Sequence, residues 1–124
     1  MTDAGRHPNI TLLTLSEIKE ITGFVGNFHV RLLKRARYVS AKDCTACGDC
    51  AAVCPVVVPD EFNMGLSSRR AIYSPFPQAV PGAYAIDMSQ CLGNNPVVCG
   101  RCVEACKKHC IDFDMNDEEL LFEV

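Results

Sequence analysis

The sequence predicts an α+β fold, and three observations carry that prediction. Two compact cysteine runs lie at residues 44–54 and 91–106. Before them comes a stretch with the turn formers and alternation of a β-hairpin. Between them, five prolines (Pro55, Pro59, Pro75, Pro77, Pro81) rule out a long helix.

The bulk properties set the frame. A chain of 124 residues is the size of one domain. A net charge of −3, with 22% charged and 48% hydrophobic residues, is that of a soluble globular protein and not of a disordered one. The slight acidity argues against a nucleic-acid binder. No run of about 18 apolar residues occurs, so no membrane span is expected. The apolar run at 10–15, preceded by Asp3, Arg6 and His7, is too short for a signal-peptide core. The expected location is the cytoplasm. Clustered cysteines in a reducing compartment are more often metal ligands than disulfides. There are nine of them, an odd number that leaves a thiol over in any disulfide scheme.

Three segments follow in order. Residues 1–42 form a β-hairpin segment: Gly23, Gly26 and Asn27 are turn formers, and Phe28, Val30 and Leu32 alternate with His29, Arg31 and Leu33. An isolated hairpin is marginal in water, so this one requires a third strand or a partner. His7 and His29 are lone histidines with structural roles. Residues 43–114 form the cysteine domain, with an extended, ordered loop at 55–84, one helical turn around 61–66, and a short strand at 111–114. Tyr73, Phe76 and Tyr84 read as core or cover. Residues 115–124 are expected to be an acidic, solvated tail. Charge is uneven: residues 1–42 hold seven Lys/Arg against three Asp/Glu, whereas 111–124 hold six acids and no base. That asymmetry would bias docking.

The first cysteine run, Cys44-Thr45-Ala46-Cys47-Gly48-Asp49-Cys50-Ala51-Ala52-Val53-Cys54-Pro55, is C-x2-C-x2-C-x3-C-P in full. Three thiolates at that spacing wrap three irons of one cubane. Gly48 stands where the backbone turns tightly near sulfur, and Ala46, Ala51 and Ala52 leave room. Cys54 is expected to begin a short helix leading away from that cube. The spacing marks a bacterial two-cluster [4Fe–4S] ferredoxin, whose fourth cysteine ligates the other cluster. The second run reads Cys91-x7-Cys99-Gly100-Arg101-Cys102-Val103-Glu104-Ala105-Cys106. It repeats the C-x2-C-x3-C ending and the glycine, but seven residues, rich in turn formers within 92–98, separate its first two cysteines. A longer loop costs little in closure entropy.

The implied pseudo-twofold assigns Cys44, Cys47, Cys50 and Cys106 to cluster one, and Cys54, Cys91, Cys99 and Cys102 to cluster two. Cys110 is left over and reads as a small buried residue packed against a cluster, with a substitute ligand or reactive thiol as the other reading. Lys107 stands where a ferredoxin has proline, so Lys107, Lys108 and His109 place positive charge beside a ligand. Cations there favour the reduced cluster. Zinc is the competing metal, but its four-cysteine sites use two C-x2-C pairs and do not require the third x2 cysteine or the Cys-Pro. No G-x-G-x-x-G, P-loop or G-x-S-x-G is present. The chain reads as an electron carrier, not an enzyme on its own. The fold class is thus α+β, a two-cluster bacterial-type ferredoxin fold with an N-terminal β-hairpin extension.

Beyond the cysteines, His7-Pro8-Asn9-Ile10, residues 23–28 (Gly-Phe-Val-Gly-Asn-Phe), Arg37-Tyr38-Val39, Val58-Pro59-Asp60-Glu61-Phe62, residues 71–81 (Ala-Ile-Tyr-Ser-Pro-Phe-Pro-Gln-Ala-Val-Pro), Tyr84-Ala85-Ile86-Asp87 and Ile111-Asp112-Phe113 stand out. Together they resemble the inserted ferredoxin domain, with flanking segments, of the A subunit of heterodisulfide reductase. Members of that family are flavin and iron–sulfur proteins of flavin-based electron-bifurcating complexes in anaerobes. The resemblance implies that residues 8–42 are strands of a flavin domain, and that this chain binds no flavin alone. It implies a relay of electrons between a flavoprotein and a low-potential ferredoxin or another iron–sulfur redox subunit. The alternatives are a free diffusible ferredoxin and a non-redox metal-stabilised scaffold.

Overall fold

The computed structural model describes residues 2–93 and 98–124. Part of the turn-rich spacer of the second cysteine run, residues 94–97, lies outside the described residues. After a helical turn, α1 (Thr2–Arg6), strands β1 (Ser16–Phe24) and β2 (Asn27–Lys34) form an antiparallel hairpin closed at Val25-Gly26. The register shifts between Ile18 and Glu20, a β-bulge. Arg31 reaches Glu20 across the pair at 3.3 Å.

The cysteine domain is built from short elements. Helix α2 (Asp49–Val53) is followed by β3 (Val58–Pro59), a single 3₁₀ turn at Glu61–Asn63, β4 (Ser68–Arg69), β5 (Ile72–Tyr73), β6 (Ala85–Ile86) and α3 (Arg101–Ala105). The Asp60 side chain accepts from the Phe62 amide at 3.0 Å, which starts the 3₁₀ turn. Two-stranded antiparallel pairs, β3 with β4 and β5 with β6, brace the proline-bearing loop. Cys54 does not begin a helix. It caps the C-terminal end of α2 in an extended conformation (φ −70°, ψ 125°), because Pro55 disfavours helical backbone at the residue before it.

The last strand corrects the reading of residues 115–124 as a solvated tail. β7 (Glu118–Glu123) pairs antiparallel with β2, from Lys34↔Glu118 to His29↔Glu123, in a sheet of order β1-β2-β7. It supplies the third strand that the hairpin requires. Leu120 faces Leu32 and Phe122 faces Val30 across the pair. The acids of β7 meet a basic strand, with His29 Nδ1 3.7 Å from Glu123 Oε1. The strand expected at 111–114 is reduced to a bridge, Val39↔Ile111. Hydrogen bonds from Ser40 N to Cys110 O (2.7 Å) and from Asp112 N to Tyr38 O (2.9 Å) flank it.

The core lies in the cysteine domain and the segment that leads into it. Val39, Ile72 and Ile86 form one buried cluster with Cys50, Cys102 and Cys110. The three-stranded sheet contributes no buried residue, and its Ile18, Ile21, Phe24 and Leu121 are exposed. Two arginines hold the pieces together. Arg37 donates to Ala83 O (3.1 Å), Tyr84 O (3.3 Å) and Thr14 Oγ1 (3.1 Å), tying the first segment to the loop. The Arg69 side chain is buried, donates to both Glu61 oxygens (2.8 Å each) and to Asp87 Oδ2 (3.0 Å), and lies 4.0 Å from the Tyr73 ring centroid.

Candidate metal centre

The cysteine runs fold into two matching units. Gly48-Asp49-Cys50 opens α2 and Gly100-Arg101-Cys102 opens α3, which places Cys50 and Cys102 in the first turns of two packed helices, both buried. Cys54 and Cys106 stand at the two helix C-termini, both in extended conformation.

The extended caps send each of these cysteines across the pair. One cavity, of about 230 Å³, is lined by Cys44, Cys47, Cys50, Cys106 and Cys110, with Tyr84, Lys107 and Lys108 at its wall. A second, of about 20 Å³, is lined by Cys54, Cys91, Cys99 and Cys102, with Ile72, Ile86 and Phe113. Thus the four thiols assigned to each cluster in the sequence reading line the same cavity here. The spare thiol, Cys110, shares the first cavity. Among the described residues, no three or more His, Cys, Asp or Glu side chains converge on one ion-sized point. The thiols ring a space instead.

Backbone amides are aimed at the sulfurs. Ala46 N lies 3.5 Å from Cys44 Sγ, and Gly93 N lies 3.3 Å from Cys91 Sγ. Ala46 takes a left-handed φ of 56° to present its amide, an uncommon conformation for a residue with a Cβ. Burial pushes the Cys50 and Cys102 thiols up to about 11, and the amides of Ala51 and Val103 oppose it. Burial raises Cys91 as well, against the Gly93 amide. At Cys106 burial acts upward too, but the amides of Cys110, Lys108 and His109 and the Cys110 thiol hold it below the ordinary range. Burial and the neighbouring thiols Cys50, Cys44 and Cys47 raise the Tyr84 phenol.

At least four thiols per cavity, with amide donors to sulfur, suit a thiolate-ligated iron–sulfur cluster. The narrower cavity requires its thiols to move apart to hold one. Two glycines keep the space open. A Cβ on Gly93 would lie 3.4 Å from Cys91 Sγ and 3.1 Å from Cys99 O. Gly48 has φ +87°, and a Cβ there would approach the Tyr84 hydroxyl to 3.2 Å. Gly48→Ala is expected to cost about 1–2 kcal/mol from the left-handed backbone, read as a lower urea midpoint of the metal-loaded chain. An unchanged midpoint would show that the turn relaxes.

The sequence reading missed the Arg69–Glu61–Asp87 network. It bears on the site because the Cys91 amide donates to Asp87 O at 3.0 Å. The linkage joins residues far apart in sequence, and no local pattern announces it.

No protein-family model matches the sequence. Among curated relatives, the chain is 48% identical over 124 residues to the iron–sulfur A subunit of CoB–CoM heterodisulfide reductase from Methanocaldococcus jannaschii, covering all of this chain and 18% of that protein. It is 48% identical over 118 residues to the A subunit of the ferredoxin:CoB–CoM heterodisulfide reductase of Methanosarcina acetivorans, covering 95% of this chain and 15% of that protein. The A subunit of the H2:CoB–CoM heterodisulfide, ferredoxin reductase of Methanothermobacter marburgensis is 41% identical over 124 residues, again 18% of its length. The chain therefore spans less than a fifth of the relatives it matches. From end to end, it is similar to one segment of the heterodisulfide reductase A subunit.

Proposed function

We propose that this chain is an electron-transfer module that holds two [4Fe–4S] clusters, one on Cys44, Cys47, Cys50 and Cys106 and the other on Cys54, Cys91, Cys99 and Cys102. The observation that carries the reading is the exchange of thiols between the two units. Cys106 leaves α3 for the first cavity and Cys54 leaves α2 for the second. That is the ligand pattern of a two-cluster ferredoxin. When bound, the clusters would supply one-electron redox couples. The chain's own part is to fix the thiolates, direct amides at sulfur, and close the sites with Ile72, Ile86, Tyr84 and Phe113.

The module works within a larger redox assembly of the heterodisulfide reductase type, relaying electrons between a flavoprotein and a ferredoxin or another iron–sulfur protein. Two observations support this. The relatives are named as subunits of such reductases, two of them with ferredoxin as a reaction partner. The sheet also leaves Ile18 and Ile21 63% and 58% exposed, on the same face as Val30, Leu32 and the 41%-exposed Phe122, a surface suited to packing under a further protein layer. Among the described residues, no helix is long and apolar enough to cross a membrane.

The test is metal and sulfide counting on the anaerobically purified chain, with EPR of the reduced form. About eight iron and eight sulfide per chain, with two interacting paramagnets, is the expected result for two cubanes. Zinc in place of iron would overturn the reading.

A further inference from the structure

The first cavity holds five thiols, one more than a cubane takes. Cys110 is only 6% exposed, and its Sγ lies 3.3 Å from Cys106 Sγ, with the Cys44 thiol as its other sulfur neighbour. The local fold makes this placement. After α3 the chain turns back within residues 106–110, with His109 N donating to Cys106 O at 3.2 Å and His109 at a left-handed φ of 51°. The Val39↔Ile111 bridge and the 2.7 Å bond from Ser40 N to Cys110 O then fix the backbone of Cys110 beneath the cavity. A residue serving only as packing has no need to face the ligand sulfurs.

We propose that Cys110 is an alternative ligand for the iron position that Cys106 holds, so that the two thiols are interchangeable at cluster one. The proposal rests on the cluster reading above. In the exchange, the iron–Cys106 sulfur bond breaks and the iron–Cys110 sulfur bond forms. The Cys110 thiol proton passes across the short sulfur–sulfur contact to the departing Cys106 thiolate. Charge and atoms balance without an oxidant or reductant. The thiolate is the ligating form in both states.

The full 124-residue chain, loaded anaerobically, decides the matter through iron counts and EPR. Cys106→Ala is expected to keep about eight irons and show altered g-values for one cluster, whereas the double variant Cys106→Ala/Cys110→Ala falls to about seven or fewer with a three-iron signal in the oxidised state. Cys110→Ala alone is expected to keep about eight irons, with cluster one held through Cys106. Cys50→Ala, whose sulfur makes no such contact among the described residues, is expected to lose iron with Cys110 present. Iron loss in Cys106→Ala equal to that of the double variant overturns the proposal. Should the alanine variant fail to fold, Cys106→Ser with and without Cys110→Ala makes the same comparison, and equal iron in that pair also overturns it. A wild-type chain free of iron instead overturns the cluster reading itself, and the exchange with it.

Discussion

Anaerobic removal of iron from the loaded chain by a strong chelator is expected to unfold residues 43–114. The reason is the poverty of the apolar core. Among the described residues, the buried hydrophobic ones are Val39, Cys50, Ala71, Ile72, Ala83, Ala85, Ile86, Cys102 and Cys110, and only Val39 and Ile72 are large side chains held near complete burial. Three of the nine are cysteines around the two cavities. Fixing each residue's backbone costs about 1–2 kcal/mol, and so small a core does not offset that cost over a domain of this length. In small metal-binding domains the free energy of metal binding is the free energy of folding. Far-UV circular dichroism and amide hydrogen exchange should collapse together on iron loss and recover on reconstitution. Full protection of the Ile72 and Ile86 amides in iron-free protein would show that the fold stands without its metal.

Arg69→Leu is expected to destabilise the loaded chain by about 2 kcal/mol, less than the roughly 3–5 kcal/mol that breaking a fully buried ion pair costs. The arginine side chain is 7% exposed, but Asp87 is 25% and Glu61 73% exposed, so water screens part of the loss. The variant also loses the stacking of the guanidinium on Tyr73. The pH dependence identifies the cause. Paired hydrogen bonds from Arg69 hold the Glu61 carboxyl below the ordinary range. Burial acts upward on Asp87, but the Ser89 and Arg69 hydrogen bonds outweigh it and lower that group too. Groups lowered in the folded state contribute stability above their unfolded pKa and lose it as pH falls. The gap between wild type and variant should therefore be full at neutral pH and shrink below about pH 4. Urea titrations of the loaded chain, from neutral pH down to the most acidic pH at which it keeps its iron, measure the trend. A gap that persists undiminished in acid would assign the loss to packing.

What the sequence disclosed, and what it hid, follows from range. Ligand spacing is a local code. Cys44, Cys47 and Cys50 sit where one cavity needs them, with Gly48 at the turn, so both cavities' thiols were legible. The third strand was not. His29 pairs with Glu123, far along the chain, and a strand's partner leaves no mark in the strand itself. The acids of β7 suggested a solvated end because their counter-charges lie on a distant strand. Arg69 was hidden for a similar reason, since its partners Glu61, before β4, and Asp87, just after β6, lie on other turns of the loop. Cys110 was visible as a spare, but its direction was not. That depended on the left-handed conformation of His109, a residue whose type does not require it.

The crossed cysteines have a consequence for how the centres are made. The first cavity gathers Cys50 and Cys106, and the second gathers Cys54 and Cys102. Two closures of the same stretch of chain are thus nested, one inside the other. Closing one loop brings the other's ends together already, so the second closure meets a much higher local concentration of thiols and little remaining loop entropy. Under the two-cluster reading, half-loaded chains are then scarce at equilibrium. On that reading the centres would be acquired as a pair and lost as a pair, and the chain would act as a two-position redox unit rather than as two sites that happen to share a polypeptide.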